Sequence, residues 1–199
     1  LFEVIELERA RPAVCIGDVA GHGVGAGVLM AAAQAHLHAE LRHHGDPALA
    51  VNTVNRYITR HGNFGRFISM WVGVFDARQR ALTFVDAGHG YWMHKPNDGP
   101  ARRAEYEGGI PVGVDPDQVY RAESMSLGAR DRLILYRDGV IEQRNPAGEQ
   151  FSHQRVSQFI ADGAMPRDDV ASVIRAVEVH AGRTELDDDT TVASIQWKI

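Results

Sequence analysis

The stretch at residues 15–30, CIGDVAGHGVGAGVLM, constrains the fold more than any other part of the chain. It passes from an apolar strand through one acid and a glycine-rich turn into an alanine-rich helix. The acid, Asp18, sits at a strand terminus, where its charge need not be buried. Glycines at 21, 23, 25 and 27 let the backbone take positive φ and approach a ligand closely. The helix predicted over 24–42 carries Val28, Leu29, Ala32, Ala33, Leu37 and Leu41 at three- and four-residue spacing, small enough to lie close on a sheet. The same layout recurs at RLILYRDGV, which delivers Asp138, and in mirror image at LDDDTTVASIQW, which delivers Asp187, Asp188 and Asp189.

The order of the remaining elements sets the fold class. LFEVIEL alternates apolar and acidic residues, the signature of a half-buried strand; ERARP reads as a turn and AVCIGD as the hairpin partner. A second helix opens after GDP, with Asp46 as N-cap, Pro47 in the first turn, and Leu49, Val54, Tyr57 and Ile58 facing inward. FISMWVGVFD, ALTFVDAGHG and YWMHK then read as an antiparallel meander over 66–94. VYRAESMSL alternates as a further strand, and DRLILYRD is a nearly continuous apolar run suited to a central strand. HQRVSQFIADG and DDVASVIRAVEVHAG are helical, the second with Val170, Val173, Ile174 and Val177 on one face, and TTVASIQWKI closes as a strand. This order is neither a βαβ alternation nor all-β. It predicts an α+β fold, a four-layer αββα sandwich of two antiparallel sheets flanked by helix pairs, in a single domain over 1–199.

Charge narrows the partners. A formal net charge of −5 with both signs interspersed argues against a nucleic-acid binder, which needs clustered Lys and Arg. With 44% hydrophobic residues the chain can bury a substantial core. The one cysteine, Cys15, lies within an apolar strand and reads as a core residue, and no Ser sits in a G-x-S-x-G elbow, so a covalent nucleophile is unsupported. The first residues lack the basic start and long apolar centre of a signal peptide. No window approaches the roughly 18 apolar residues of a membrane span. A cytoplasmic protein without a membrane segment is expected. The opening in mid-strand without Met is what a fragment of a longer chain would show.

Three acids, each at the mouth of an apolar strand, suit hard divalent cations, which favour oxygen ligands and keep several waters. Aspartate beside glycine also commonly serves as a turn or cap residue, and spacing alone leaves both readings open.

GDVAGHGVGAGVLM, FVDAGHG, GIPVGV, LILYRDGVIEQRNPAGEQF and DDDTTV, in this order over residues 14–197, resemble the bacterial RsbU- and SpoIIE-like branch of the PP2C-type (PPM) metal-dependent serine/threonine phosphatases. The resemblance implies the αββα sandwich and two Mn²⁺ or Mg²⁺ ions. It implies that Asp18 bridges the ions, that the Val19 carbonyl ligates one, and that Asp138 ligates the other. Asp188 is the late ligand, because Asp188-Asp189-Thr190-Thr191 fits the family frame; Asp187 and Asp189 are the near misses. Implied too is hydrolysis of phosphoserine or phosphothreonine by a metal-held water with no phosphoenzyme. The implied substrate is a phosphorylated STAS-type anti-anti-sigma protein, with an upstream sensor or receiver domain as regulator and homodimerisation possible. The family's acidic Gly-Gly-Asp motif would lie just before Leu1. Whether that motif is trimmed away or absent is open, which keeps a second reading in view, a pseudophosphatase acting as a regulated binding module. His22, two residues after the place where some relatives carry a proposed general acid, is either that acid or a turn residue. Asp86 and His89 are either turn residues or the border of a weaker third cation.

Overall fold

Alternation decides the first sheet. The computed structural model describes residues 1–8, 11–61, 65–162 and 164–197. Strand β1 (Phe2–Leu7) pairs antiparallel with β2 (Arg11–Val19); Arg9 and Ala10 of the expected turn lie outside the described residues. β3 (Ile68–Asp76), β4 (Ala81–Ala87) and β6 (Glu123–Ser126) complete a five-stranded antiparallel sheet in the order β1-β2-β3-β4-β6. Helices α1 (Val24–His44) and α2 (Pro47–His61) cover one of its faces. Ala13 and Cys15 of β2 and Ile68, Met70, Val72 and Val74 of β3 meet Leu29, Ala33, Leu37 and Leu41 of α1 in one core with Ala50, Val51, Val54 and Ile58 of α2. Asp46 caps α2 as expected, its Oδ1 accepting from the amides of Ala48 (2.8 Å) and Leu49 (3.1 Å).

Two assignments of helix faces change. Val28 is 64% exposed and Leu49 is 37% exposed. The buried line of α1 follows the four-residue ridge through 29, 33, 37 and 41, which leaves Val28 on the flank. In α2 the buried line runs through 47, 50, 51, 54, 55 and 58.

The second sheet is β5-β7-β8, built from β5 (Trp92–Lys95), β7 (Arg132–Tyr136) and β8 (Val192–Gln196), all antiparallel. The expected meander over 66–94 therefore ends after β4: β5 pairs with β7, and β6 takes the place beside β4. The break lies at 88–90, where Gly88 and Gly90 have φ of 74° and 70°. The Asp86 carboxylate fixes that turn. Its Oδ1 accepts from the His89 amide at 2.7 Å, and its Oδ2 accepts from the Gly90 amide at 3.0 Å and the Tyr106 hydroxyl at 2.5 Å. Asp86 is thus engaged as a turn residue.

Helices α3 (Asp138–Ile141), α4 (Ser152–Gln158) and α5 (Pro166–Ala181) share a core with the second sheet. Met93, Ile134 and Tyr136 pack with Val140, Val156, Val173 and Val177. On α5, Val170 and Ile174 are only half-buried while Asp169 is buried. The chain forms two compact units, Leu1–Gly90 with Tyr106–Leu127, and Tyr91–Glu105 with Gly128–Ile199, each holding one sheet and its own helices. An α+β chain with two antiparallel sheets is as the sequence predicts.

The buried Asp169 explains how β7 and α5 are tied. Arg132 Nη1 donates to Asp169 Oδ1 at 2.9 Å and to the Ala164 carbonyl at 2.5 Å; its Nη2 donates to the Ala161 carbonyl at 2.6 Å. Ser194 Oγ of β8 donates to Asp169 Oδ2 at 2.7 Å. Burial pushes the Asp169 carboxyl above the usual carboxylate range, although the Ser194 hydrogen bond and the Arg132 charge oppose the rise. Next to it, burial also works against ionised Asp131. There the hydrogen bonds from the Gly128 amide, His94 and the Asn97 amide outweigh burial and hold the carboxyl below its ordinary value.

Two outcomes follow. Arg132→Met strands a buried carboxylate and should cost about 3–5 kcal/mol in urea denaturation. Asp131 has a folded pKa below its unfolded one, so its stabilising contribution is complete above about pH 4 and lost as the pH falls below that. The stability gap between wild type and Asp131→Asn should therefore shrink in that acid range, measured by urea midpoints at successive pH.

Candidate active site

Each candidate ligand sits where a ladder stops. Asp18 is the next-to-last residue of β2, opposite Ser69, and is half-buried; Val19 closes the strand opposite Ile68. The strand course continues one step further, with the Ala20 amide donating to the Phe67 carbonyl at 2.8 Å. The chain then turns through exposed His22 to Gly23, whose φ of 86° suits glycine. The Gly23 carbonyl accepts from the Ala26 and Gly27 amides, both at 3.1 Å, which starts α1.

In the other unit, β7 and β8 place Tyr136 opposite Val192, and the Arg137 amide donates to the Thr191 carbonyl at 3.2 Å. Beyond that pair the ladder stops, and Asp138 opens α3 while residues 188–190 lead into β8. Gly139 shows how close they come. A Cβ added there would lie 2.6 Å from the Asp189 carbonyl oxygen and 3.5 Å from the Asp188 Cβ. Only glycine tolerates this approach without displacing backbone. Asp138 is half-buried and Asp188 is exposed. Asp138 Oδ1 accepts from the Gly139 amide (2.9 Å) and Asp188 Oδ1 from the Asp189 amide (2.7 Å). A cleft of about 320 Å³ opens here, lined by Gly139, Glu142, Gln143, Arg144, Asp187 and Asp188.

The three consecutive aspartates are not equivalent. Asp187 is taken up by Gln143 Nε2 at 2.8 Å and by Arg183. Asp189 lies 3.9 Å from Arg137. Asp187 and Asp188 both line the cleft, and Asp188 is the one whose Cβ lies beside Gly139.

Oxygen donors alone, held beside a glycine cradle, are a set that suits Mg²⁺ or Mn²⁺. Among the described residues no three His, Cys, Asp or Glu side chains form a cation cluster; what comes together is Gly139, next to Asp138, with the 188–189 backbone.

The sequence did not single out the neighbours of Asp138. Tyr91 stacks on His153 with ring centroids 5.8 Å apart, and the Tyr136 hydroxyl lies 2.7 Å from His153 Nδ1. Burial, then the charges of Asp138 and Glu142, push the Tyr91 phenol above its usual value, so it stays protonated. Gln143 was also missed, since a lone glutamine in a polar run carries no signal. Cys15 is no nucleophile: burial, aided by Glu3, raises its thiol to about 12.

This fold, with carboxylates at the ends of its strands, is that of PP2C-type phosphatase domains. Residues 8–198 match the family described as Stage II sporulation protein E (SpoIIE), and the chain belongs to that family. Protein IcfG of Synechocystis is 29% identical over 147 residues, covering 72% of this chain and 23% of its own length. Phosphoserine phosphatase RsbU of Bacillus subtilis is 25% identical over 138 residues, covering 68% of this chain and 40% of its own. The chain thus spans well under half the length of these relatives. The structure of the RsbU and RsbW domains of Rv1364c from Mycobacterium tuberculosis superposes with a TM-score of 0.83 at 23% identity, over 100% of this chain and 56% of that one. RsbX, solved in complex with magnesium, has the same fold at 13% identity and TM-score 0.68, over 98% of this chain and 85% of its own. Among the described residues, no helix is long and apolar enough to cross a membrane.

Gly139→Ala should push the 188–189 backbone aside. A loss of about 1–3 kcal/mol in thermal or urea unfolding is expected, together with faster hydrogen exchange at the Asp189 amide.

Proposed function

We propose that this chain is the catalytic domain of a metal-dependent protein serine/threonine phosphatase. The observation that carries the reading is the close approach of the 188–189 segment to Gly139, the residue after Asp138, in a chain of the SpoIIE family. In this reading Asp18, the Val19 carbonyl, Asp138 and Asp188 hold two Mn²⁺ or Mg²⁺ ions. Such ions, when bound, supply an activated water and offset the charge that develops on phosphoryl oxygens. The chain's own part is to hold the four oxygen donors on strand ends and to keep covalent nucleophiles away from phosphorus. Hydrolysis is then direct, with no phosphoenzyme.

The substrate is a phosphoserine or phosphothreonine in a protein. Relatives named phosphoserine phosphatase support a phosphoserine; a STAS-type anti-anti-sigma protein is the class that the family resemblance implies. Residues 1–199 act as one phosphatase domain of a cytoplasmic signalling protein, in series with a sensor or receiver domain, and homodimerisation fits that arrangement.

Asp18→Ala and Asp138→Ala should each lower Mn²⁺-dependent release of phosphate from a phosphoserine protein by at least about a hundredfold, with far-UV circular dichroism unchanged. Full activity in either variant removes the mechanism.

A further inference from the structure

The segment that carries Asp188 lacks regular secondary structure, is exposed, and bears three successive like charges. Such a segment is expected to be loosely held. It is tied instead to a buried side chain. Gln143 is 2% exposed. Its Oε1 accepts from the Asp187 amide at 2.9 Å, and its Nε2 donates to Asp187 Oδ2 at 2.8 Å and to the Arg144 carbonyl at 3.1 Å. The two bonds to Asp187 use both ends of the primary amide. A carboxylate there would face Asp187 with like charge, and an alkyl chain would leave the amide and carboxylate of Asp187 without this partner.

The anchor also reaches the other acid. Gln143 lies two residues beyond α3, whose last turn closes with the Glu142 amide donating to the Asp138 carbonyl at 2.9 Å. Short hydrogen-bonded links therefore run from Asp138 through α3 to Gln143, and from Gln143 to Asp187, the neighbour of Asp188. We infer that Gln143 is a positioning residue that fixes Asp188 relative to Asp138, presetting the pair for a divalent cation. This rests on the metal role proposed above. Gln143 touches no substrate; it acts through Asp187. Partners of this kind, one step behind the ligands, commonly govern metal affinity.

Titration of the chain with Mn²⁺ by calorimetry tests this in wild type, Gln143→Leu, Asp187→Ala and Asp187→Asn. Gln143→Leu and Asp187→Ala should bind Mn²⁺ about tenfold or more weakly. Asp187→Asn keeps an acceptor for the Gln143 amide and should stay within a few-fold of wild type, a rescue that a purely structural role would not produce. Amide exchange at Asp187 should quicken in Gln143→Leu. Should Gln143→Leu fail to fold, Asp187→Ala, at an exposed position, decides alone. Wild-type affinity in the Leu and Ala variants overturns this inference and leaves the metal site standing. Absence of Mn²⁺ binding by the wild-type chain overturns both.

Discussion

Carboxylates that are to share a cation repel one another until it arrives, so the backbone must hold each one in place unaided. For the ligands proposed in this chain, the strand register would do that work. Asp18 is fixed by a ladder of seven pairs between β2 and β3, from Ala13–Val74 to Val19–Ile68. A slip of one residue would send Cys15 and Ala13 to the opposite face and break the core they share with α1. Burial of β2 from Ala13 to Gly17 forbids the slip, and Asp18 emerges at the first position where burial relaxes. Asp138 follows the same rule: every residue of β7 is buried, and the acid comes two residues after Tyr136.

The opposite end of β7 shows what keeps that strand still. Arg132 is buried against Asp169, and Asp131 collects hydrogen bonds from His94, Asn97 and Gly128. The Asp131 carbonyl also accepts from the Trp197 amide at 2.8 Å, while the Arg130 amide donates to the Trp197 carbonyl at 2.9 Å. These polar ties clamp one end of β7, while its five buried side chains anchor the body of the strand. Burying the Arg132–Asp169 pair costs desolvation, which need not favour stability over an apolar core. It does tie one face of α5 to β8, because Ser194 Oγ donates to Asp169 Oδ2. The acids at the far end of β7 therefore ride on a strand pinned at its start.

Much of this was legible from residue order. Apolar runs ending in an acid placed Asp18 and Asp138 correctly at strand ends, because burial and strand termination are local properties. The two-sheet α+β class was readable for the same reason. What could not be read depends on which strands become neighbours. The segment 92–95 pairs with β7 rather than β4, through a turn set by the Asp86 side chain, and no alternation pattern carries that information. Val28 and Leu49 were assigned inward because a 3.6-residue period leaves flanking positions ambiguous; the neighbouring helix and strands decide them. Asp169 lies in the first turn of α5, and its burial against Arg132, 37 positions away, depends on a long-range contact.

The same limit applies to the run Asp187-Asp188-Asp189. Three identical side chains in sequence have identical local chemistry, so nothing nearby ranks them. The proposed ranking comes from a glutamine 44 positions away, which occupies Asp187, and from Gly139, whose missing Cβ lets the 188–189 backbone come close. Arg183 takes the remaining oxygen of Asp187, and Arg137 stands nearer to Asp189. In the proposed reading each cation-bearing or amide neighbour engages one acid, and Asp188 is left beside Gly139. Selection of one aspartate from three is thus made by what holds the others, a form of specificity that lives in tertiary contacts and leaves no mark on the motif itself.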